Sequence, residues 1–245
     1  MRLFALIGYP LSHSFSEKYF TEKFIREQIT DATFKLFPIE TIELLPQMIQ
    51  SNGNLNGFAI TIPHKKTIIP YLYSKTDAVK KMGACNCVRI IDGKLYGHNT
   101  DVIGFEQSFI QYLQPNHTKA LVLGTGGASA AVEFVLQKLA IDYVLVSRTK
   151  NIAQNILSYA DINDAIMKEY SVIINTTPLG TFPNVDEAPA IPYELISSQH
   201  YLFDLVYNPA ETKFLQLGKL AGATTKNGYD MLVLQADENW KIWNT

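Results

Sequence analysis

Short apolar runs, broken by glycine, proline and polar clusters, recur along the chain, and strand-like and helix-like spacings alternate among them. Residues 3–7 (Leu-Phe-Ala-Leu-Ile) stop at Gly8, and Tyr9-Pro10 forces a loop, which predicts a buried strand and a turn. From Ser16 to about Ile29, the side chains Tyr19, Phe20, Phe24 and Ile25 recur at helical spacing, and Ser16 is placed to cap that helix. Segments 33–38, 42–49 and 57–62 repeat the order of strand, loop and helix, after which Pro63 opens a turn containing His64, Lys65 and Lys66. Runs at 86–91 and 94–96 flank Asp92-Gly93, a hairpin signal. Asn99-Thr100-Asp101 precedes a helix over 102–113, which Pro115-Asn116 ends. The rest alternates: a strand to Gly124, a helix to Leu139, a strand over 143–147, a weak helix over 152–159, strands over 172–175 and 201–206, and a helix over 210–220.

Alternation of this kind predicts an α/β protein with parallel strands and crossover helices. A domain boundary falls near Val102, so that residues 1–101 form one domain and 102–226 a second, with 227–245 returning to complete the first. At 121–129, Leu-Val-Leu-Gly-Thr-Gly-Gly-Ala-Ser, an apolar run ends in three glycines within four residues. Gly124, Gly126 and Gly127 let backbone N–H groups approach a ligand, and the following helix aims its positive end at an anion, which points to a nucleotide. The spacing departs from the dinucleotide fingerprint, since Gly126 and Gly127 are adjacent and Ala130 stands near the third glycine position. About 20 residues further on, where an acid selects NAD, stand Ser147-Arg148-Thr149-Lys150. Without a carboxylate to repel a 2′-phosphate, and with Arg148 able to pair with one bidentately, the turn favours NADP; a solvated basic turn is the alternative.

Composition narrows the partners. A net charge of −2 over 245 residues, with both signs mixed, leaves no basic stripe for nucleic acid. The apolar runs fall well short of the roughly 18 residues of a membrane span. The short N-terminal run lacks the features of a signal peptide, so a cytoplasmic protein is expected. Cys85 and Cys87, two apart, are expected as reduced thiols on one face of an extended segment, and the five histidines show no paired metal spacing, so no metal is expected.

Candidate chemistry lies in three loops. Ser14 and Ser16 follow the first strand, where open sheets bind ligands, and can donate to a small anion; helix capping is the competing role for Ser16. His13, beside Ser14, has no visible carboxylate partner and reads as structural. Lys65 in the first turn of a helix sets a cation against the dipole, which suggests a base rather than a stabilising charge, although Lys66 shares the address. Asp101 reads equally as an N-cap.

Taken together, these residues resemble the NADP-dependent shikimate dehydrogenase family. The motifs are Gly8-Tyr-Pro-Leu-Ser-His-Ser-Phe-Ser16, Thr61-Ile-Pro-His-Lys65, Gly83-Ala-Cys-Asn86 and Gly97-His-Asn-Thr-Asp101, followed by Gly124-Thr-Gly-Gly-Ala-Ser129 and Ser147-Arg-Thr149. Asn175-Thr-Thr-Pro-Leu-Gly180, Asp204-Leu-Val-Tyr207 and Asn227-Gly-Tyr-Asp-Met-Leu-Val-Leu-Gln235 complete the set, so the resemblance runs through nearly the whole chain. It implies an open, mostly parallel α/β substrate domain, a Rossmann-like NADP-binding domain and a cleft between them. It also implies that Ser14 and Ser16 hold the substrate carboxylate, and that Thr61, Asn86, Asp101 and Gln235 bind ring hydroxyls with Tyr207 nearby. Lys65, paired with Asp101, exchanges the hydroxyl proton. On the cofactor side, Gly124, Gly126, Gly127 and Ala128 face the pyrophosphate; Ser147, Arg148, Thr149 and Lys150 face the 2′-phosphate end; Leu205 and Gly228 face the nicotinamide.

The implied reaction is reversible, NADP-dependent reduction of 3-dehydroshikimate to shikimate by a monomer or homodimer. A broader quinate/shikimate enzyme using NAD or NADP, and a nucleotide-binding regulatory module without catalysis, are the alternatives. Three features depart from the family pattern: Cys87 in place of threonine, Ser147 in place of asparagine, and Tyr229-Asp230 where a small residue and glycine are common. Bulk and an acid beside Gly228 bear on nicotinamide placement, and the chain is short around 150–170 and at its C-terminus.

Overall fold

The computed structural model describes residues 1–11 and 14–245; Ser12 and His13, which belong to the first hydroxyl-bearing loop, lie outside the described residues. The chain divides into two compact units, one of residues 1–100 with 236–245 and one of residues 101–235.

In the first unit the strands are β1 (Arg2–Gly8), β2 (Ala32–Pro38), β3 (Leu55–Ile60), β4 (Ser74–Lys75), β5 (Cys87–Ile91) and β6 (Lys94–His98). They form one sheet in the order β2-β1-β3-β5-β6-β4. β2, β1 and β3 run parallel, while β5 pairs antiparallel with both β3 and β6. Asp92 and Gly93 both take positive φ in the tight β5–β6 turn, as the Asp-Gly pair predicts. Helices α1 (Phe15–Arg26), α2 (Leu45–Gln50), α3 (His64–Thr67) and α4 (Asp77–Met82) connect these strands.

Alternate residues of β1 enter two separate cores, Leu3, Ala5 and Ile7 in one and Phe4 and Leu6 in the other, so both faces of the sheet are covered. The second core closes only with residues from the far end of the chain. Trp243 stacks on Phe4 with ring centroids 5.0 Å apart and donates its indole N–H to the Val88 carbonyl at 3.0 Å. Asp237 accepts from the Tyr19 hydroxyl at 2.6 Å and from the buried Lys23 ammonium at 2.8 Å.

The second unit holds β7 (Lys119–Leu123), β8 (Asp142–Ser147), β9 (Ile156–Ser158), β10 (Val172–Asn175), β11 (Tyr201–Asp204) and β12 (Thr224–Lys226). All pair in parallel, in the order β12-β11-β10-β7-β8-β9. Helices α5 (Asp101–Phe109), α6 (Ser129–Lys138), α7 (Asp164–Glu169) and α8 (Lys213–Leu220) accompany them. The last helix, α9 (Tyr229–Asn244), is grouped with this unit up to Gln235 and with the first unit from Ala236 onward.

Two local expectations fail. The segment expected as a weak helix over 152–159 is a single turn followed by β9, because Leu157 packs into the core beside the β8 strand that pairs with it. Cys85 and Cys87 do not share a face: Cys85 precedes β5 and packs in one core, whereas Cys87 begins the strand and packs in the other. Neither forms a disulfide, and both are buried. Among the described residues no helix is long and apolar enough to cross a membrane, and no group of three His, Cys, Asp or Glu is placed to hold a metal ion.

Candidate active site

Strand register builds the cofactor half-site. Leu123, Val146, Asn175 and Asp204 lie in one row across β7, β8, β10 and β11. Gly124, Thr176 and Leu205, which follow in β7, β10 and β11, therefore leave the sheet together at its C-terminal edge beside Ser147, the last residue of β8, where parallel sheets bind ligands. Gly124 has φ +108°, and a Cβ there falls 2.7 Å from Thr176 Oγ1, so both backbone and space demand glycine. At Gly126 and Gly127 the reason differs, since a Cβ meets nothing within 4 Å and the loop faces open space. Ala128, in the N-cap position of α6, offers no side-chain cap, and Ser129 turns its hydroxyl back to the Gly126 carbonyl at 2.7 Å. The first-turn N–H groups of α6 thus have no capping side chain, which suits a pyrophosphate.

A pocket of about 400 Å3 opens beside this loop, and Gly124, Thr125, Gly126, Ser147, Arg148 and Tyr159 are among its walls. Arg148 is exposed. The neighbouring turn is self-contained: Ser147 Oγ donates to the Thr149 carbonyl and accepts from the Thr149 N–H. Lys150 Nζ lies 2.8 Å from Asp161 Oδ1. Asp161 also accepts from the Ser158 N–H and hydroxyl, and with Lys150 as the largest cause its carboxyl is held down at about 2. One of the two cations expected at the 2′-phosphate end therefore already has a carboxylate partner. The pocket, the open glycines and Arg148 fit a dinucleotide with a 2′-phosphate. Tyr159 was not singled out in the sequence, because β9 and the turn after it, which bring it to the pocket, were read as one helix.

At the residues expected to border the nicotinamide, a Cβ on Gly228 falls on the Leu205 carbonyl, inside van der Waals contact, and the Gly228 N–H bonds to the Val206 carbonyl at 3.2 Å. Leu205 and Gly228 are thus brought together. The buried Asp204 fixes this turn by accepting from the Val206 N–H at 3.0 Å, from Asn175 Nδ2 at 2.9 Å and from the Thr212 hydroxyl at 2.5 Å. Asn175 in turn accepts from the Thr177 N–H and hydroxyl, so one network spans two strand ends. Burial raises Asp204 from 3.8 to about 6, against the pull of those three donors. Asp230, the unusual acid beside Gly228, pairs with Lys226, whose ammonium also sits 5.4 Å from the Tyr112 ring centroid. Its charge is met locally. Tyr207 is half-buried, which raises its phenol. α5, whose first residue is Asp101, approaches α9 so closely at Gly104 that a Cβ there falls 3.1 Å from Gln235 Cβ. Asp101 is thus a helical residue, with Thr100 the residue before the helix. Gln235 is buried and donates to the Leu232 carbonyl at 2.9 Å.

The first unit carries the remaining predicted residues. Thr61 N–H bonds to the Ile7 carbonyl at 2.9 Å and Tyr9 N–H to the Ile62 carbonyl at 3.0 Å, which holds the loops after β1 and β3 side by side. Ser14, not Ser16, occupies the N-cap position of α1, and its side chain makes no capping bond. Its hydroxyl oxygen is buried and has no hydrogen-bond partner among the described residues; Asn99 Oδ1 shares that condition. An orphaned polar atom costs about 1–3 kcal/mol unless a ligand or water meets it. Lys65 sits on α3, a single turn with Pro63 in the N-cap position rather than inside the helix, so little macrodipole stands behind it. Its carbonyl accepts from the Cys85 N–H at 2.8 Å. His64, missed in the sequence, is buried and bonds through Nε2 to the Ile39 carbonyl at 2.7 Å, anchoring that turn. Asn86 joins β3 to β6, with its carbonyl on the Ile60 N–H and its N–H on the His98 carbonyl.

Residues 6–88 match the family model for the shikimate dehydrogenase substrate binding domain. The shikimate dehydrogenase (NADP(+)) of Methanosphaera stadtmanae is 35% identical over 256 residues, covering 97% of this chain and 89% of that protein. The crystal structure of shikimate dehydrogenase from Aquifex aeolicus superposes with a TM-score of 0.86 at 34% identity, covering 100% and 92% of the two chains. A Thermus thermophilus shikimate 5-dehydrogenase in complex with NADP(H) and shikimate gives a TM-score of 0.86 at 27% identity, covering 99% and 93%. With relatives this similar along its whole length, the chain belongs to the shikimate dehydrogenase family.

Proposed function

We infer that the chain catalyses the reversible, NADP-dependent reduction of 3-dehydroshikimate to shikimate. The observation that carries this reading is the full-length relationship to shikimate dehydrogenase (NADP(+)) in a chain that keeps Lys65, Asp101 and Arg148. In this reading Gly124, Gly126, Gly127, Ala128 and the first turn of α6 bind the pyrophosphate, and Ser147, Arg148, Thr149 and Lys150 the adenosine end, with Arg148 on the 2′-phosphate. Leu205 and Gly228 border the nicotinamide. Bound there, NADPH supplies the hydride for the C3 carbonyl carbon.

The chain's own residues do the rest. Ser14 and Ser16 hold the substrate carboxylate, and the Ser14 hydroxyl, which has no partner among the described residues, supports that role. Thr61, Asn86, Asp101 and Gln235 orient the ring through its hydroxyls, with Tyr207 beside it. The Lys65 ammonium stabilises negative charge growing on the C3 oxygen and gives that oxygen its proton; in the reverse direction the neutral amine takes the proton back. Asp101 orients Lys65. The two buried, unbridged thiols suit a reducing compartment such as the cytoplasm.

One observation favours a second reading, a quinate/shikimate enzyme that also accepts NAD: the Lys150–Asp161 ion pair reduces the free positive charge at the 2′-phosphate end. A spectrophotometric matrix of shikimate and quinate against NADP and NAD separates the two. NADPH formation from shikimate, falling at least about 100-fold in kcat in Lys65→Ala with shikimate binding kept, is the expected result. Full activity in that variant, or no turnover of shikimate by the wild type, overturns the assignment.

A further inference from the structure

The Asn86 side chain is oriented by two residues that face away from any ligand role so far described. The Thr100 backbone N–H meets one end of the Asn86 amide at 2.6 Å, and because a backbone N–H can only donate, that end is the carbonyl oxygen. The NH2 end then faces the Thr100 hydroxyl, with Nδ2 3.0 Å from Oγ1. That hydroxyl has one proton and two acceptors in reach, Asn86 Oδ1 at 3.2 Å and Asn239 Oδ1 at 2.7 Å. The shorter distance is the ordinary length of an O–H···O bond and the longer one lies beyond the usual range. The proton goes to Asn239, which turns the Thr100 oxygen into an acceptor for one Asn86 amide hydrogen.

The three residues are buried at 3%, 1% and 1% exposure, so bulk water does not compete for these positions. With its oxygen engaged by the Thr100 N–H and one hydrogen engaged by the Thr100 hydroxyl, Asn86 keeps a single N–H for a ligand.

We propose that Asn239, on the part of α9 that completes the first unit, is a positioning residue for substrate recognition: by accepting the Thr100 hydroxyl proton it keeps the Thr100 oxygen as the acceptor that anchors one amide hydrogen of Asn86, so that the other N–H is held toward the substrate ring. The proposal rests on the assignment of Asn86 to the shikimate ring. Had the hydroxyl proton gone to Asn86 instead, the Thr100 N–H would still hold the amide oxygen, but the NH2 end would lose the Thr100 oxygen as its acceptor. An oriented donor serves a ring oxygen in either oxidation state, since hydroxyl and carbonyl oxygens both accept.

Steady-state kinetics of four variants tests this. Asn239→Leu and the isosteric Thr100→Val are each expected to raise the KM for shikimate about tenfold, the worth of one hydrogen bond, while leaving the KM for NADP unchanged and kcat within a few-fold. Thr100→Ser, which keeps the hydroxyl, is expected to keep the wild-type KM. Because both lesions break one chain, Asn239→Leu/Thr100→Val is expected to be no worse than either single variant. Additive effects in the double variant, a matching rise in the KM for NADP, or an unchanged shikimate KM in folded Thr100→Val overturns the proposal. Wild-type protein that turns over shikimate normally while the variants stay unaffected condemns only the role of Asn239; failure of the wild type to turn over shikimate removes the functional reading and this role together.

Discussion

Replacing Asp204 by asparagine isolates what a buried carboxyl costs the cofactor-binding unit. The side chain is fully buried, and its pKa rises from 3.8 to about 6. The folded state therefore holds the proton over a pH range in which the unfolded chain has released it. That preference adds stability below about pH 4, and the contribution is lost as pH rises through about 6. A gap of about 2 pH units amounts to about 3 kcal/mol in all, of which about 1 kcal/mol falls between pH 5 and pH 7. Asp204→Asn removes the titration and keeps the bonding: the oxygen that accepts from Asn175 and Val206 is retained, and the new NH2 faces the Thr212 hydroxyl, which rotates to accept. The stability of the variant relative to wild type is thus expected to improve by about 1 kcal/mol from pH 5 to pH 7, other carboxyls cancelling in the difference. Urea unfolding of both proteins at pH 5, 6 and 7, at matched ionic strength, measures it. A difference that does not change with pH refutes the argument.

Three further substitutions probe the other parts. Arg148→Ala is expected to raise the KM for NADP about 10- to 100-fold and leave that for NAD unchanged, as the loss of a charge-assisted contact requires; Asp161→Asn, which releases Lys150, is expected to move the preference further toward NADP, and paired kinetics with the two cofactors reads both. Trp243→Ala removes the ring stacked on Phe4 and the bond to Val88, and is expected to cost about 3–5 kcal/mol by urea unfolding; a loss under 1 kcal/mol contradicts the role given to this helix end.

Much of the framework was legible from residue patterns. The Asp92-Gly93 hairpin, the strand into Gly124 and the parallel second sheet follow from local signals that tertiary contacts reinforce. What was misread has identifiable causes. Residues 156–158 form a three-residue edge strand, too short for its period to differ from that of a helical turn. Ser16 carries the right side chain for a cap, but the helix begins two residues earlier, at Phe15, and Ser14 takes that position. The Lys65 dipole argument assumed a full helix behind Pro63, and the chain supplies one turn. Asn239 was invisible because nothing local distinguishes a helical asparagine; its significance depends on Thr100, 139 positions away. The family motifs supplied roles for Lys65 and Asp101 that spacing alone left open.

The division of α9 has a consequence for the order in which the molecule can be made. Residues 101–235 are contiguous, so the second unit is complete as soon as its last residue emerges during synthesis. The first unit begins at residue 1 yet lacks Ala236, Asp237 and Trp243 until about 135 residues later, and its Phe4, Phe20 and Phe34 core lies uncovered for that interval. The half of the protein that is begun first therefore finishes last, and translation times when Lys65 comes to rest on a closed scaffold.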